Sequence, residues 1–173
     1  EQGHAPQISS YWDLTYQPKA TGSDDDLADE LEARIEESLR LHLVSDVPVG
    51  AFLSGGLDSS LLVGMLPKRI GVRNLPTFTV RLPYAQFDEA PHARAVAQLY
   101  GTDHHERSLS PSLIALLPDL VYHLDEPSDP LSLCAYHVAE LAHEHVKVVI
   151  GGDGADELFG GYDRHYGNLY ASH

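Results

Sequence analysis

Hydrophobic positions follow two different periods along the chain. Leu27, Leu31, Ile35 and Leu39 recur every fourth residue and Leu43 continues the stripe, which predicts an amphipathic helix reaching about Val44. Ser23 stands before it as an N-cap, and Asp24, Asp25 and Asp26 fill the first turn, where the helix dipole favours acids. That acid run is read as a solvated helix start rather than a metal site. Val47 to Leu53 is a short apolar run, Ser54-Gly55-Gly56 a turn, and Leu57 to Leu66 is apolar on all sides. The order is strand, glycine turn, buried helix. Pro76 to Leu82 predicts a second strand, Asp88 to Tyr100 a helix capped by Gly101, and His104 to Ser108 a short third strand. Pro111 to Leu124 and Leu131 to Glu144 predict helices separated by a proline-rich turn that opens on Asp125-Glu126-Pro127. Val146 to Ile150 has the β-branched content of a buried parallel strand. Strands alternating with helices imply an α/β fold, a parallel sheet covered on both faces.

Composition narrows the setting. A chain of 173 residues with 43% hydrophobic and 21% charged side chains is one ordinary domain with enough apolar content for a core. Its net charge of −15 repels nucleic acid and anionic lipid, so neither is expected as a partner. The one cysteine, Cys134, excludes an internal disulfide and a multi-cysteine zinc site, and is read as a small buried apolar residue. No apolar run approaches the ~20 residues of a membrane span, and the N-terminus lacks the character of a signal peptide. A cytoplasmic setting is therefore expected. Residues 1–22 have no period. Tyr11, Trp12 and Tyr16 are apolar for a free tail, so an extended segment packed on a neighbour is expected.

In a parallel sheet, ligands bind beyond the carboxyl ends of the strands. Two turns meet that rule: Ser54-Gly55-Gly56-Leu57-Asp58-Ser59-Ser60 and Gly151-Gly152-Asp153-Gly154-Ala155-Asp156-Glu157. In the first, adjacent glycines let backbone approach a ligand, a helix N-terminus offers N–H groups to an anion, and three serines add neutral donors. Asp58 repels phosphate unless a divalent cation lies between them, which points to magnesium. The first turn is not a Walker A loop, because Gly56 stands where lysine is required. The second is not a dinucleotide fingerprint, because Glu157 takes the third glycine position. Asp156 can join Asp58 on the metal if the two strand ends are neighbours. Read singly, each turn is also consistent with a capped glycine turn.

FLSGGLDSS (Phe52 to Ser60) resembles the pyrophosphatase loop of N-type ATP pyrophosphatases. With TFTV (Thr77 to Val80), GTDHHE (Gly101 to Glu106), DEP (Asp125 to Pro127) and GDGADELFGGY (Gly152 to Tyr162), the chain resembles the synthetase domain of glutamine-hydrolysing asparagine synthetases from about Tyr11 to Tyr166. The resemblance implies a three-layer α/β/α sandwich of the adenine nucleotide alpha hydrolase type, with sheet order 3-2-1-4-5. It implies a reaction in which ATP and a carboxylate, typically aspartate, give an acyl-adenylate and pyrophosphate, after which ammonia displaces AMP. Ser54, Gly55, Gly56, Ser59 and Ser60 are implied to hold pyrophosphate, and Asp58 and Asp156 to carry Mg2+. Leu53, Val80, Gly151 and Gly152 are implied to line the adenosine site. Asp153 stands where many relatives have glutamate and is implied to serve as a catalytic base toward ammonium, one methylene shorter than usual.

The same resemblance sets expectations for domains and partners. Residues 1–22 correspond to a linker from an N-terminal glutaminase domain that would supply ammonia. Residues 23–173 correspond to the synthetase domain, shortened at its C-terminus. Neither loop contains a lysine or arginine, so weak ATP binding and little turnover by this chain alone are expected. Arg164 lies near the second loop in sequence and has a solvent-facing alternative. The loop that carries Asp125 and Glu126 faces the substrate cleft in the family, which leaves a substrate role for either residue open. The spacing of His137, His143 and His145 does not suit a metal site, and His104-His105 is read as hydrogen-bonded or solvated. Related adenylating amidotransferases, β-lactam-type synthetases and a non-catalytic nucleotide-binding module share the loops and stay open as alternatives, as does a homo-oligomer.

Overall fold

The computed structural model describes residues 8–15, 17–109, 113–126 and 131–171. Its contacts divide the chain into two units, residues 1–35 and 36–173. In the first unit the segment before Ser23 is irregular, as its lack of period predicts. Tyr11 and Trp12 are 101% and 68% exposed, so the packing expected of them is not found; Tyr16 lies outside the described residues. Helix α1 (Asp24–His42) begins on a reciprocal cap. Asp26 N–H donates to Ser23 Oγ at 3.2 Å, and the Ser23 hydroxyl donates to Asp26 Oδ2 at 2.6 Å. The Ser23 hydroxyl and, at 3.2 Å, the Ser23 N–H both donate to Asp26 Oδ2 and hold that carboxyl below its ordinary range.

The second unit is built on four parallel strands, β1 (Val49–Phe52), β2 (Pro76–Arg81), β3 (Asp103–Ser108) and β4 (Val148–Ile150). Their spatial order is β3-β2-β1-β4, which agrees with the first four positions of the expected 3-2-1-4-5. No fifth strand occurs among the described residues. Register places Ala51 opposite Thr77 and Ile150, and Thr77 opposite His104. Successive side chains of β2 therefore serve opposite faces. Phe78 is fully buried with Leu141, Ala142 and Val146, on the side of α5 (Leu131–His143). Thr77, also fully buried, bonds Thr102 and His104 on the other side.

Helix α2 (Leu57–Met65) and α3 (Ala90–Tyr100) pack against each other, and α3 packs on β2 and β3. Tyr100 lies so close to Gly64 that a Cβ there would come within 2.7 Å of the ring. A π turn, Leu66–Ile70, prolongs α2 beyond its predicted end. Pro67 has no N–H to give the ordinary helical bond, and Gly71, at φ 82°, closes the turn with Val72 N–H on Leu66 O at 3.1 Å. The predicted 111–124 helix is observed as a 3-10 turn, Leu113–Leu116, followed by α4 (Leu117–Leu124) with Pro118 in its first turn. Beyond β4 come two short helices, α6 (Ala155–Phe159) and α7 (Asp163–Ala171).

Candidate functional site

The carboxyl end of β1 is clamped before the chain turns. Leu53 N–H donates to Phe78 O at 3.0 Å, and the Thr79 hydroxyl donates to Leu53 O. The Leu53 side chain is buried in the core. The turn that follows needs glycine at residue 55, whose φ is +85°. A Cβ there would run into Ala93 N and come within 2.6 Å of the His92 carbonyl carbon. The loop thus sits directly on the start of α3.

Two serines set the shape of this loop. Ser54 Oγ and Ser59 Oγ are 2.9 Å apart, Ser54 N–H donates to Ser59 Oγ at 3.2 Å, and Gly56 N–H donates to Ser54 Oγ at 3.1 Å. The network ties the turn to the first turn of α2, where the helix leaves N–H groups without intrahelical partners. Ser60 Oγ is shielded from solvent and has no hydrogen-bond partner, a donor held in reserve next to the same helix start.

The second loop meets the first through a glycine. A Cβ on Gly152 would lie 3.3 Å from Asp58 Cβ and 3.5 Å from Ser59 N. One on Gly151 would come within 2.7 Å of Asp153 Oδ2. Gly154, at φ 89°, then opens α6. Together the two loops enclose a cleft of about 240 Å³ lined by Phe52, Ser54, Gly56, Asp58, Ser59, Gly151, Gly152 and Asp153. Seven of these eight are residues singled out from the sequence. Phe52 is the addition, since the last residue of a strand gives no signal of which way it faces the ligand edge.

The other sequence-derived positions lie around the cleft rather than in its lining. Gly55 packs on α3, Ser60 is half-buried with its Oγ shielded, and Val80 is half-buried near the end of β2. Asp156 sits in the first turn of α6, its carboxylate folded where a Cβ on Gly161 would fall. Glu157 accepts the Tyr162 hydroxyl at 2.7 Å, and Arg164 stacks over the Tyr162 ring at 4.1 Å. That hydrogen bond holds the Glu157 carboxyl below its usual range and raises the Tyr162 phenol. Two carboxylates and no lysine or arginine line the cleft, so an anionic ligand would need a cation to accompany it.

Of the two carboxylates expected to carry magnesium, Asp58 lines the cleft and Asp156 does not, its carboxylate lying against Gly161 instead. Aspartate oxygens are the hard ligands magnesium takes, and magnesium draws most of its shell from phosphates and water. Among the described residues no group of three or more His, Cys, Asp or Glu could hold a metal by itself. Three of the described histidines pack or bond elsewhere. His105 stacks on Phe78 and on His145, with ring centroids 5.4 and 3.8 Å apart, and His143 lies 3.3 Å from Lys147 Nζ. Cys134 is half-buried, and burial raises its thiol pKa, the opposite of an activated nucleophile. No helix among the described residues is long and apolar enough to cross a membrane.

Comparison with known proteins gives a consistent result. The sequence profile of the family described as asparagine synthase matches residues 30–173. A putative glutamine-hydrolysing asparagine synthetase of Mycobacterium tuberculosis is 40% identical over 165 residues, 91% of this chain and 24% of that protein. Asparagine synthetase 1 of Bacillus subtilis is 38% identical over 158 residues, 90% and 24%. A Gibberella zeae protein named amidase chry2 is 33% identical over 172 residues, 88% and 26%. Among solved structures, an NAD+ synthetase from Burkholderia pseudomallei matches at TM-score 0.32 and 20% identity, over 72% of this chain and 54% of that one. The chain thus spans about a quarter of the length of the curated relatives it matches. With the profile covering most of its residues and both glycine loops in place, this chain belongs to the asparagine synthase family.

Proposed function

We propose that this chain forms the ATP-binding core of an ATP-dependent amide-forming ligase, which adenylates a carboxylate, with aspartate as the first candidate, for displacement by ammonia. The observation that carries the reading is the contact of Gly152 with Asp58 and Ser59, because it closes a serine- and glycine-rich helix start and a carboxylate-bearing turn around one cleft. In this reading Ser54, Gly55, Gly56, Ser59 and Ser60 receive the pyrophosphate of ATP. Ser60 Oγ has an unmet hydrogen bond to give, and the α2 N-terminus favours the anion. Gly151 and Gly152 allow the nucleoside to approach, and Leu53 and Val80 form the floor behind it. Leu53 does so as a fixed point of the strand, since its N–H and C=O are both bonded to β2.

Asp58 and Asp156 are the residues that would hold magnesium, which when bound offsets the charge that builds on departing pyrophosphate. In this reading Asp153, which lines the cleft, accepts a proton from ammonium, and Asp153→Asn should abolish amide formation from ammonia. The ammonia source is a glutaminase domain of the parent protein. The test is a calorimetric titration with α,β-methylene ATP, with and without magnesium, on the chain and on Asp58→Asn. Magnesium-dependent binding weakened at least about tenfold in the variant supports the reading. Binding indifferent to magnesium or to Asp58→Asn, or no binding, overturns it for this chain.

A second reading keeps adenylation and changes the acyl substrate. It is favoured by the relative bearing an amidase name. Carboxylate-dependent pyrophosphate release across a panel of amino acids and non-amino acids separates the two.

A further inference from the structure

The TFTV segment carries a polar side chain that the site described above leaves unused. Thr79 lies on β2 and is 4% exposed. Its hydroxyl donates to Leu53 O, at the mouth of the serine loop. The paired register of β1 and β2 ends just before this point, with Phe52 opposite Phe78. Leu53 still donates its N–H to Phe78 O at 3.0 Å. For the Leu53 carbonyl a side chain takes over as donor. Ser54 N–H, the other end of the same peptide group, donates to Ser59 Oγ at 3.2 Å. One peptide plane is thus pinned by its carbonyl to β2 and by its N–H to the first turn of α2.

That plane sets the direction of the loop that follows. Ser54 Oγ stands 2.9 Å from Ser59 Oγ and accepts Gly56 N–H at 3.1 Å, so the serine network starts from the peptide that Thr79 holds. Ser54, Gly56 and Ser59 line the cleft together with Asp58 and Asp153. A carbonyl rotated into that cleft would add partial negative charge to the two carboxylates and oppose an anionic ligand. Without the Thr79 hydroxyl, the Leu53 carbonyl would lose its donor in a buried setting, and the cost of leaving it unbonded favours such a rotation toward solvent. Thr77 gives an internal comparison. It lies two residues away on the same strand, hence on the same face, and it is fully buried. Its hydroxyl bonds Thr102 and His104 rather than the loop. Two buried threonines of one strand therefore differ in what their hydroxyls hold.

We propose that Thr79 is a positioning residue for the serine loop, its hydroxyl fixing the Leu53–Ser54 peptide so that the loop presents donors, and not a carbonyl, to the bound anion. The positioning stands without the nucleotide reading, and its effect on binding rests on that reading. The test compares the intact wild-type chain with Thr79→Val, Thr79→Ser and Thr77→Val. It measures amide hydrogen exchange at Ser54 and Gly56 without ligand, and calorimetric titration of α,β-methylene ATP with magnesium. Thr79→Val should speed exchange at both amides and weaken nucleotide binding, each at least about tenfold. Thr79→Ser keeps the hydroxyl, and Thr77→Val removes one that does not touch the loop. Both should stay within about threefold of wild type in the two measurements. The proposal is overturned if Ser54 exchange is unchanged in Thr79→Val, if serine does not preserve it, or if Thr77→Val loosens the loop as much. It fails equally if the Ser54 amide of the folded wild-type chain exchanges as freely as in an unfolded one. Normal nucleotide binding by Thr79→Val overturns the proposal and spares the nucleotide reading. The expected exchange pattern in a chain that binds no nucleotide supports the positioning and overturns the nucleotide reading. Should Thr79→Val not fold, Thr79→Ala takes its place under the same criteria.

Discussion

Replacing Gly55 by alanine should be far more damaging than replacing Gly71, although both have nearly the same positive φ, +85° and +82°. The difference is what a Cβ would meet. At Gly71 nothing lies within 4 Å; at Gly55 the new carbon enters the backbone of His92 and Ala93. Left-handed φ costs an L-residue about 1–2 kcal/mol. The loss of unfolded-state freedom returns about 0.4–1 kcal/mol, so Gly71→Ala should cost about 1 kcal/mol net. Overpacking against a helix that cannot move aside adds about 1–3 kcal/mol at Gly55, for a total of about 2–4 kcal/mol. Urea unfolding followed by circular dichroism measures both, and the midpoints should separate at constant m value. If the two variants agree within about 0.5 kcal/mol, the loop is not braced on α3 and its donor geometry is not preset.

Two further outcomes follow from the core and the β3 histidine. Phe78→Ala, at a fully buried position packed by Leu141, Ala142 and Val146, should cost about 3–5 kcal/mol in the same assay. Because the folded His104 pKa lies below its unfolded value of 6.5, its neutral ring favours the fold fully above that pH, and the advantage is lost as pH falls through the folded value. Its charged neighbours are Glu106 on the same strand, Arg94 on α3 and His105. The urea midpoint should therefore drop on acidification below about pH 6.5, and His104→Gln should flatten that slope.

The parts of this molecule that repeat locally are readable from the chain. Leu27 to Leu39 announces its own helix, Gly101 its cap, and VKVVI a strand, because each signal lies within one turn or one pleat. The cleft is readable for the same reason: its lining falls in two short contiguous turns. What was not readable depends on register. That Thr77 stands opposite His104 follows from β2–β3 alignment, so the hydrogen bond between their side chains has no trace in local spacing. Arg94 and Glu106 pair from different elements, and nothing in either segment names the other as partner. The π turn is an intermediate case, where Pro67 marks a departure from the ordinary helix but not whether the chain stops or continues.

The pairing of β1 with β4 sets the order in which the molecule can assemble. Val49 and Val148 are partners across about a hundred intervening residues, whereas Pro76 and Asp103 close a much shorter loop. The longer closure costs about 1 kcal/mol more in chain entropy, and long-range pairing of parallel strands is intrinsically slow, so this pairing is expected to complete last. Gly152 reaches Asp58 only after β4 has docked, so the cleft is among the last parts of the domain to exist. A folding intermediate with β1, β2 and β3 already paired would carry the serine loop without its acidic partner. Nucleotide would then bind only the finished domain and raise its stability by mass action, without hastening the steps before β4 arrives.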